Sequence, residues 1–297
     1  MGIIFDLDAM TAEVPEDKVL RTTMALEEMR ETHWVPCDTI NVLLGLLAFC
    51  AQVLVPGGWR NCWTVMALRT SVKQGFAPMN SLWWIELQWW VEFLRDWPRI
   101  AMMVPKQWLD PLHAADMAPF TDASRELSTL SGGAGCVFVG NGAIQVQAQE
   151  FQFTKQEVTW LEICDLEGLV CVLWLKHLCE TCPEQITGRR FWSWCDNRSF
   201  EGAVNAHKSN APTLAFLVGL LHGLQAQYSF DFRLKYVRSE DNVAADALSR
   251  LDYLRFFSFM QEQGVQESDI VFVDVQETVR QEWSLKLRSM RTLAANT

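Results

Sequence analysis

Three aspartates carry the clearest chemistry in this sequence. Asp122 lies in the string APFTDAS, Asp196 ends FWSWCD, and Asp246 lies in NVAADALSR. The first two strings read as strands and the third opens a helix, so each carboxylate stands at a strand end or a helix start. Such groups converging on one sheet edge form a site of hard oxygen ligands, which suits magnesium and its near-octahedral demand. Two such ions about 4 Å apart can activate water and stabilise the leaving oxygen of a phosphodiester. Taken singly, each aspartate reads as a surface or cap carboxylate. Only the ordered set points to catalysis.

The elements that must position them change character near residue 118. Before it, the chain reads as two short strands around a turn, then helices over 15–30, 39–54, 59–70 and 80–96. Trp83, Leu87, Trp90 and Leu94 give the last of these an apolar stripe. No cluster of catalytic residue types falls in this part, which reads as a packing and positioning module. After residue 118 come three strands, including the Gly-rich 132–139 and the alternating 143–153, then alternating helices and strands. That order describes an α/β domain with a mixed sheet and flanking helices. The expected organisation is a mostly helical region at 1–115, the mixed domain at 116–252, and a tail at 253–297. The tail holds one strand (270–275) and one helix (276–293), with no evident chemistry.

Composition narrows the partners. The 297 residues are 49% hydrophobic and 21% charged, enough to bury a core. The net charge of -11 argues against a simple basic nucleic-acid binder, and acids also outnumber bases within 116–252. It leaves room for a nuclease whose metal ions supply the local positive charge. The nine cysteines form no disulfide framework, and acidic residues follow Met1 too closely for a signal pattern. Free thiols in an intracellular compartment, cytoplasm or nucleus, are the expectation. Cys179 and Cys182, with His177 beside them, have one half of a zinc-site spacing and no second half. The longest apolar run, 40–55, is shorter than a membrane span of ~20 residues and reads as a buried helix.

TDAS at 121–124 before a Gly-rich strand, CDN at 195–197 and NVAADALSR at 242–250 together resemble the ribonuclease H domain of retrotransposon reverse transcriptases, especially those of tyrosine-recombinase-type elements and their relatives. ADALSR is the most specific piece. The resemblance extends upstream, where GIIFDLDAMTAEVPEDKV looks like the last strands of a polymerase palm. VLLGLLAFCAQVLVPGGWRNCW looks like the thumb-and-connection helices that follow. It implies a ribonuclease H-like fold and hydrolysis of the RNA strand of an RNA–DNA hybrid with two Mg2+ ions, or Mn2+ in their place. The polymerase's paired aspartates occur nowhere in the chain, so it resembles the C-terminal part of such an enzyme, with no polymerase activity expected. Where many relatives carry a histidine associated with late steps of turnover, this chain has Tyr236.

The resemblance carries Asp122, Asp196 and Asp246 over as metal-binding catalytic residues and requires a glutamate on the intervening helix, either Glu162 or Glu167. Glu167 is favoured. It begins an apolar stripe through Val170, Cys171, Trp174, Leu175 and Leu178, whereas counting from Glu162 puts Asp165 on the stripe, costly unless paired. The run from Ile163 resembles the family's helix more closely, and Glu167 precedes Asp196 by 29 residues against 34 for Glu162. The spacing from Asp122 favours Glu162 instead. Asn197, Arg198 and Ser199, next after Asp196, have the chemistry to contact phosphate or a 2′-hydroxyl; a helix cap with a solvated arginine is the alternative.

Overall fold

In a computed structural model, the structure describes residues 2–6, 8, 11–30, 32–51, 53, 72, 74–78, 81–95, 100–101, 119–139, 146–187, 190–207, 209–228 and 230–295. The chain forms two compact units: Met1–Val104 with Gly219–Ser229 and Leu293–Thr297, and Pro105–Val218 with Phe230–Thr292.

In the first unit β1 (Ile4–Asp6) and β2 (Thr11–Glu13) lead into α1 (Glu16–Arg30), whose first turn carries Glu16 and Asp17. These acids suit the positive end of the helix dipole. Next come β3 (Trp34–Pro36), α2 (Cys37–Ala51), β4 (Phe76–Pro78), α3 (Ser81–Arg95) and β5 (Ile100–Ala101). Leu26 of α1, Ile40, Leu43 and Leu47 of α2, and Leu87, Trp90 and Leu94 of α3 share one core. Residues 40–51 of the long apolar run thus belong to a core helix, and no helix among the described residues is long and apolar enough to cross a membrane. The pairings of β3 with β4 and of β5 with β2 are additions to the expected helices. The helix expected at 59–70 lies outside the described residues.

The second unit begins with an antiparallel meander, β6 (Phe120–Ala123), β7 (Gly133–Val139) and β8 (Val146–Gln152). Two helices follow, α4 (Lys155–Trp160) and α5 (Ile163–Thr181), where the sequence reads as one long helix ending near Leu178. Leu161 and Glu162 are extended and break it. Thr154 and Glu157 form a reciprocal capping box at the start of α4. Helix α5 is buried well beyond one stripe, from Leu166 through Leu178, so it serves as the central helix of the unit.

The chain continues through α6 (Pro183–Ile186), β9 (Arg190–Cys195), α7 (Arg198–Asn205), α8 (Pro212–Tyr228) and β10 (Asp231–Tyr236). Then come α9 (Val243–Ser249), α10 (Tyr253–Glu262), β11 (Ile270–Phe272) and α11 (Glu277–Ala295). The sheet order is β10-β9-β6-β7-β8-β11, with β9 parallel to β6, β10 parallel to β9 and β11 parallel to β8. This is the mixed α/β class expected from the sequence. The string AADALS closes α9 rather than opening a longer helix, because Arg250 and Leu251 leave helical geometry.

Two features place the site. Helix α9 lies so close on β7 that a Cβ at Gly133 would sit 2.2 Å from the Ser249 carbonyl oxygen, and one at Gly135 2.1 Å from that of Ala245. The Gly-rich string therefore lets the helix bearing Asp246 and Ser249 settle on the sheet. Residues 253–272 also belong to this unit: Phe256 and Met260 of α10 join Ala244, Ala247 and Leu248 of α9 in one apolar cluster with Val137, Val146 and Ala148. Strand β11 extends the sheet beyond β8.

Candidate active site

Strands β6 and β9 are parallel neighbours, so their C-terminal ends lie side by side. Asp122 is the third residue of β6, and Asp196 directly follows β9. Glu167 comes early in α5, the helix packed across β6. Asp122, Glu167 and Asp196 each offer an oxygen, and these oxygens lie within 4.8 Å of one another. Asp122 is not splayed off the sheet edge as expected; it is 4% exposed, between its strand and α9.

Burial dominates the electrostatics. It pushes Asp122 up to about 7, with Asp196 and Asp246 adding repulsion and the Ser249 hydroxyl and Arg250 opposing it. Burial pushes Glu167 up to about 8, helped by the charges of Asp196 and Asp122 and opposed by a hydrogen bond from Asn197. Three polar side chains fix the acids. Ser249 Oγ donates to Asp122 Oδ2 at 2.6 Å, Ser239 Oγ donates to Asp196 Oδ2 at 2.6 Å, and Asn197 bonds Glu167. The Asp196 Oδ1 is buried without a hydrogen-bond partner among the described residues. An all-oxygen set with an orphaned carboxylate oxygen and two acids resisting ionisation suits a hard divalent cation.

Asp246 is engaged elsewhere. Its Oδ1 accepts from Arg250 Nε at 2.8 Å and its Oδ2 from Arg255 Nη1 at 2.5 Å. Its charge still reaches Asp122, but it is not one of the three clustered acids. Glu162 also lies outside the cluster. It precedes α5 and pairs with Arg125 at 2.7 Å and Arg291 at 3.0 Å. Asp165 is buried, contrary to the stripe argument that would keep so costly a carboxylate off the core face, and Arg291 Nη1 meets its Oδ2 at 2.6 Å. Its burial is therefore compensated by a residue of α11.

Asn197 is the N-cap of α7, its Oδ1 accepting from Phe200 N at 2.9 Å. Arg198 and Ser199 are exposed in the first turn, and the Arg198 guanidinium lies 3.9 Å from the centre of the Tyr236 ring. Cys179 and Cys182 are buried free thiols, and His177 stacks on Trp174. Among the described residues the only candidate metal group is the three acids. Sequence reasoning passed over Ser239, Ser249 and Arg255. Ser249 had a legible signal, since it follows Asp246 by one helical turn in ADALSR. Ser239 comes from the loop after β10 and Arg255 from the start of α10, and neither had one.

No family model and no curated protein matches the chain. Among solved structures, RNase H1 of the halophilic archaeon Halobacterium salinarum is 16% identical, covering 46% of this chain and 98% of its own, with a TM-score of 0.33. LC11-RNase H1 in complex with an RNA/DNA hybrid is 12% identical over 46% of this chain and 94% of its own, with a TM-score of 0.35. A foamy viral protease-reverse transcriptase in complex with double-stranded DNA is 12% identical over 80% of this chain and 45% of its own, with a TM-score of 0.25. Each is a likeness only, and no family membership follows from it.

Proposed function

We propose that the second unit is a metal-dependent endonuclease of ribonuclease H type that cuts the RNA strand of an RNA–DNA hybrid, within the C-terminal part of a retroelement reverse transcriptase. Residues 116–252 form its catalytic part and residues 1–115 a thumb- and connection-like module. The observation that carries this reading is the convergence of Asp122, Glu167 and Asp196 from three separate elements within 4.8 Å. The hybrid as substrate follows from the resemblance of TDAS, CDN and NVAADALSR.

Asp122, Glu167 and Asp196 would hold magnesium, with Asp246 as the fourth carboxylate. Bound there, divalent ions would supply an activated water and charge stabilisation at the leaving oxygen. The chain supplies preorganisation. Ser249 and Ser239 hold one oxygen of Asp122 and of Asp196, and the other oxygen of Asp196 has no partner among the described residues. Asn197 ties Glu167 to the start of α7. Arg198 and Ser199 face solvent beside Asp196, where a nucleic-acid backbone would run.

A second reading, a ribonuclease H-like scaffold without activity, draws on the pairing of Asp246 with two arginines and on Tyr236 in place of the family histidine. One experiment decides: the purified chain with labelled RNA–DNA hybrid and Mg2+, with and without chelator, beside Asp196→Asn. Chelator-sensitive cleavage lost in the variant supports the enzyme. Uncut hybrid at millimolar Mg2+ supports the scaffold.

A further inference from the structure

We propose that Arg255 is a built-in counter-cation that holds Asp246 back from the three-acid cluster and must be displaced before Asp246 can ligate a divalent ion. This rests on the metal-binding reading above and assigns a role to a residue beyond the family motif, which ends at Arg250.

Both oxygens of Asp246 are occupied by charge-assisted bonds, Oδ1 by Arg250 and Oδ2 by Arg255. The contrast with Asp196 is direct: one oxygen there meets only a serine hydroxyl and the other meets nothing among the described residues. Arg255 is placed rather than incidental. Its backbone N–H donates to the Asp252 side chain at 3.1 Å, the cap of α10. The next residue, Phe256, is fully buried in the cluster that joins α10 to α9. The backbone under Arg255 is thus fixed to the helix that carries Asp246. The Arg255 side chain is 40% exposed and flexible, so its guanidinium can leave for solvent without disturbing the core. A divalent ion entering beside Asp122 competes with Arg255 for the same carboxylate oxygen. The arrangement raises the cation concentration at which the fourth ligand is recruited.

The test is calorimetric titration of the full chain with Mn2+ alone, for the parent, Arg255→Gln, Asp246→Asn and the double variant. Arg255→Gln should tighten the weaker Mn2+ step by about fivefold, the size expected from losing one partly exposed ion pair. The same change in the Asp246→Asn background should do little. Arg255→Lys, which keeps the charge but not the fork, should show a smaller tightening and covers the case in which the glutamine variant misfolds. Unchanged or weaker Mn2+ binding in Arg255→Gln overturns the proposal, as does equal tightening in both backgrounds, which would be a field effect on the cluster alone. If the parent binds no Mn2+, the metal-binding reading fails and takes this one with it. If the parent binds and the glutamine change is silent, only this one fails.

Discussion

The second unit buries two sets of acids, and they are treated in opposite ways. Glu157 and Asp165, toward α11, are each met by an arginine from that helix: Arg280 pairs with Glu157, where Ser284 Oγ adds a bond of 2.6 Å, and Arg291 pairs with Asp165. Asp122 and Glu167, toward the ends of β6 and β9, receive no arginine contact among the described residues, only a hydroxyl and an amide, and both are pushed up by burial. A buried charge is tolerated when a partner offsets its desolvation. The first set is compensated from within the chain and reads as architecture. The second is left short of positive charge, the mark of a group held for a ligand or a reaction.

The sharpest break of this contrast is to neutralise one acid on each side. Asp196→Asn should lower hybrid cleavage by more than about a hundredfold, because several kcal/mol of metal-borne stabilisation goes with the ligand. Its melting temperature without metal should hold or rise, since one like charge is gone. Cleavage at the parent rate would remove Asp196 from the site. On the other side, Arg280→Met should cost about 3–5 kcal/mol, because Glu157 is left buried and uncompensated. Urea denaturation measures it, and a loss under about 1 kcal/mol would show that Glu157 finds another partner.

Acidity sharpens the same contrast by a smaller amount. Asp122 and Glu167 titrate near 4 when unfolded and at about 7 and about 8 in the folded, metal-free chain. Over that interval the folded state binds more protons than the unfolded state, so stability through these groups falls as pH rises from about 4 to about 8. A divalent ion favours the ionised forms and should flatten the fall. Melting temperatures at pH 5 and pH 8, in chelator and in Mg2+, test this. Equal values with and without Mg2+ at pH 8 would mean that the acids do not hold the ion.

The two sets also differ in how far the sequence revealed them. Asp122 and Asp196 were legible because strand ends and neighbouring strings are local features. One of the three arguments for Glu167 over Glu162 was the cost of burying Asp165, yet Asp165 is buried and paired. Its compensation was not legible, since Arg291 lies 126 positions away and no local pattern links them. For the same reason the stretch after residue 252 read as a tail without chemistry, although Arg255, Arg280 and Arg291 all come from it. The Gly-rich string marked a strand, but its reason, the approach of α9 to β7, is tertiary. The break between α4 and α5 was missed because Leu161 and Glu162 are ordinary helix formers, extended here against their propensity.

The smallest expected effect concerns Arg198, the exposed cation two residues after Asp196. Arg198 has no capping duty, because Asn197 performs it, and its recorded contact is with the Tyr236 ring. A solvent-exposed cation over such a half-buried ring gives about 0.5–1 kcal/mol, enough to orient the guanidinium and too little to define a structural role. If Arg198 meets a phosphate of the hybrid, Arg198→Ala should weaken binding by less than about tenfold and lower the salt dependence of log K by about one counterion. A stacking-only role predicts a small loss of stability and no change in that slope. Tyr236→Leu separates the two further. It removes the ring and keeps the charge, so it should leave the salt slope intact while loosening affinity slightly. Binding by the Asp196→Asn chain, titrated at several salt concentrations, reads both without interference from cleavage. An unchanged slope in Arg198→Ala would assign Arg198 to the fold and move the substrate path away from α7.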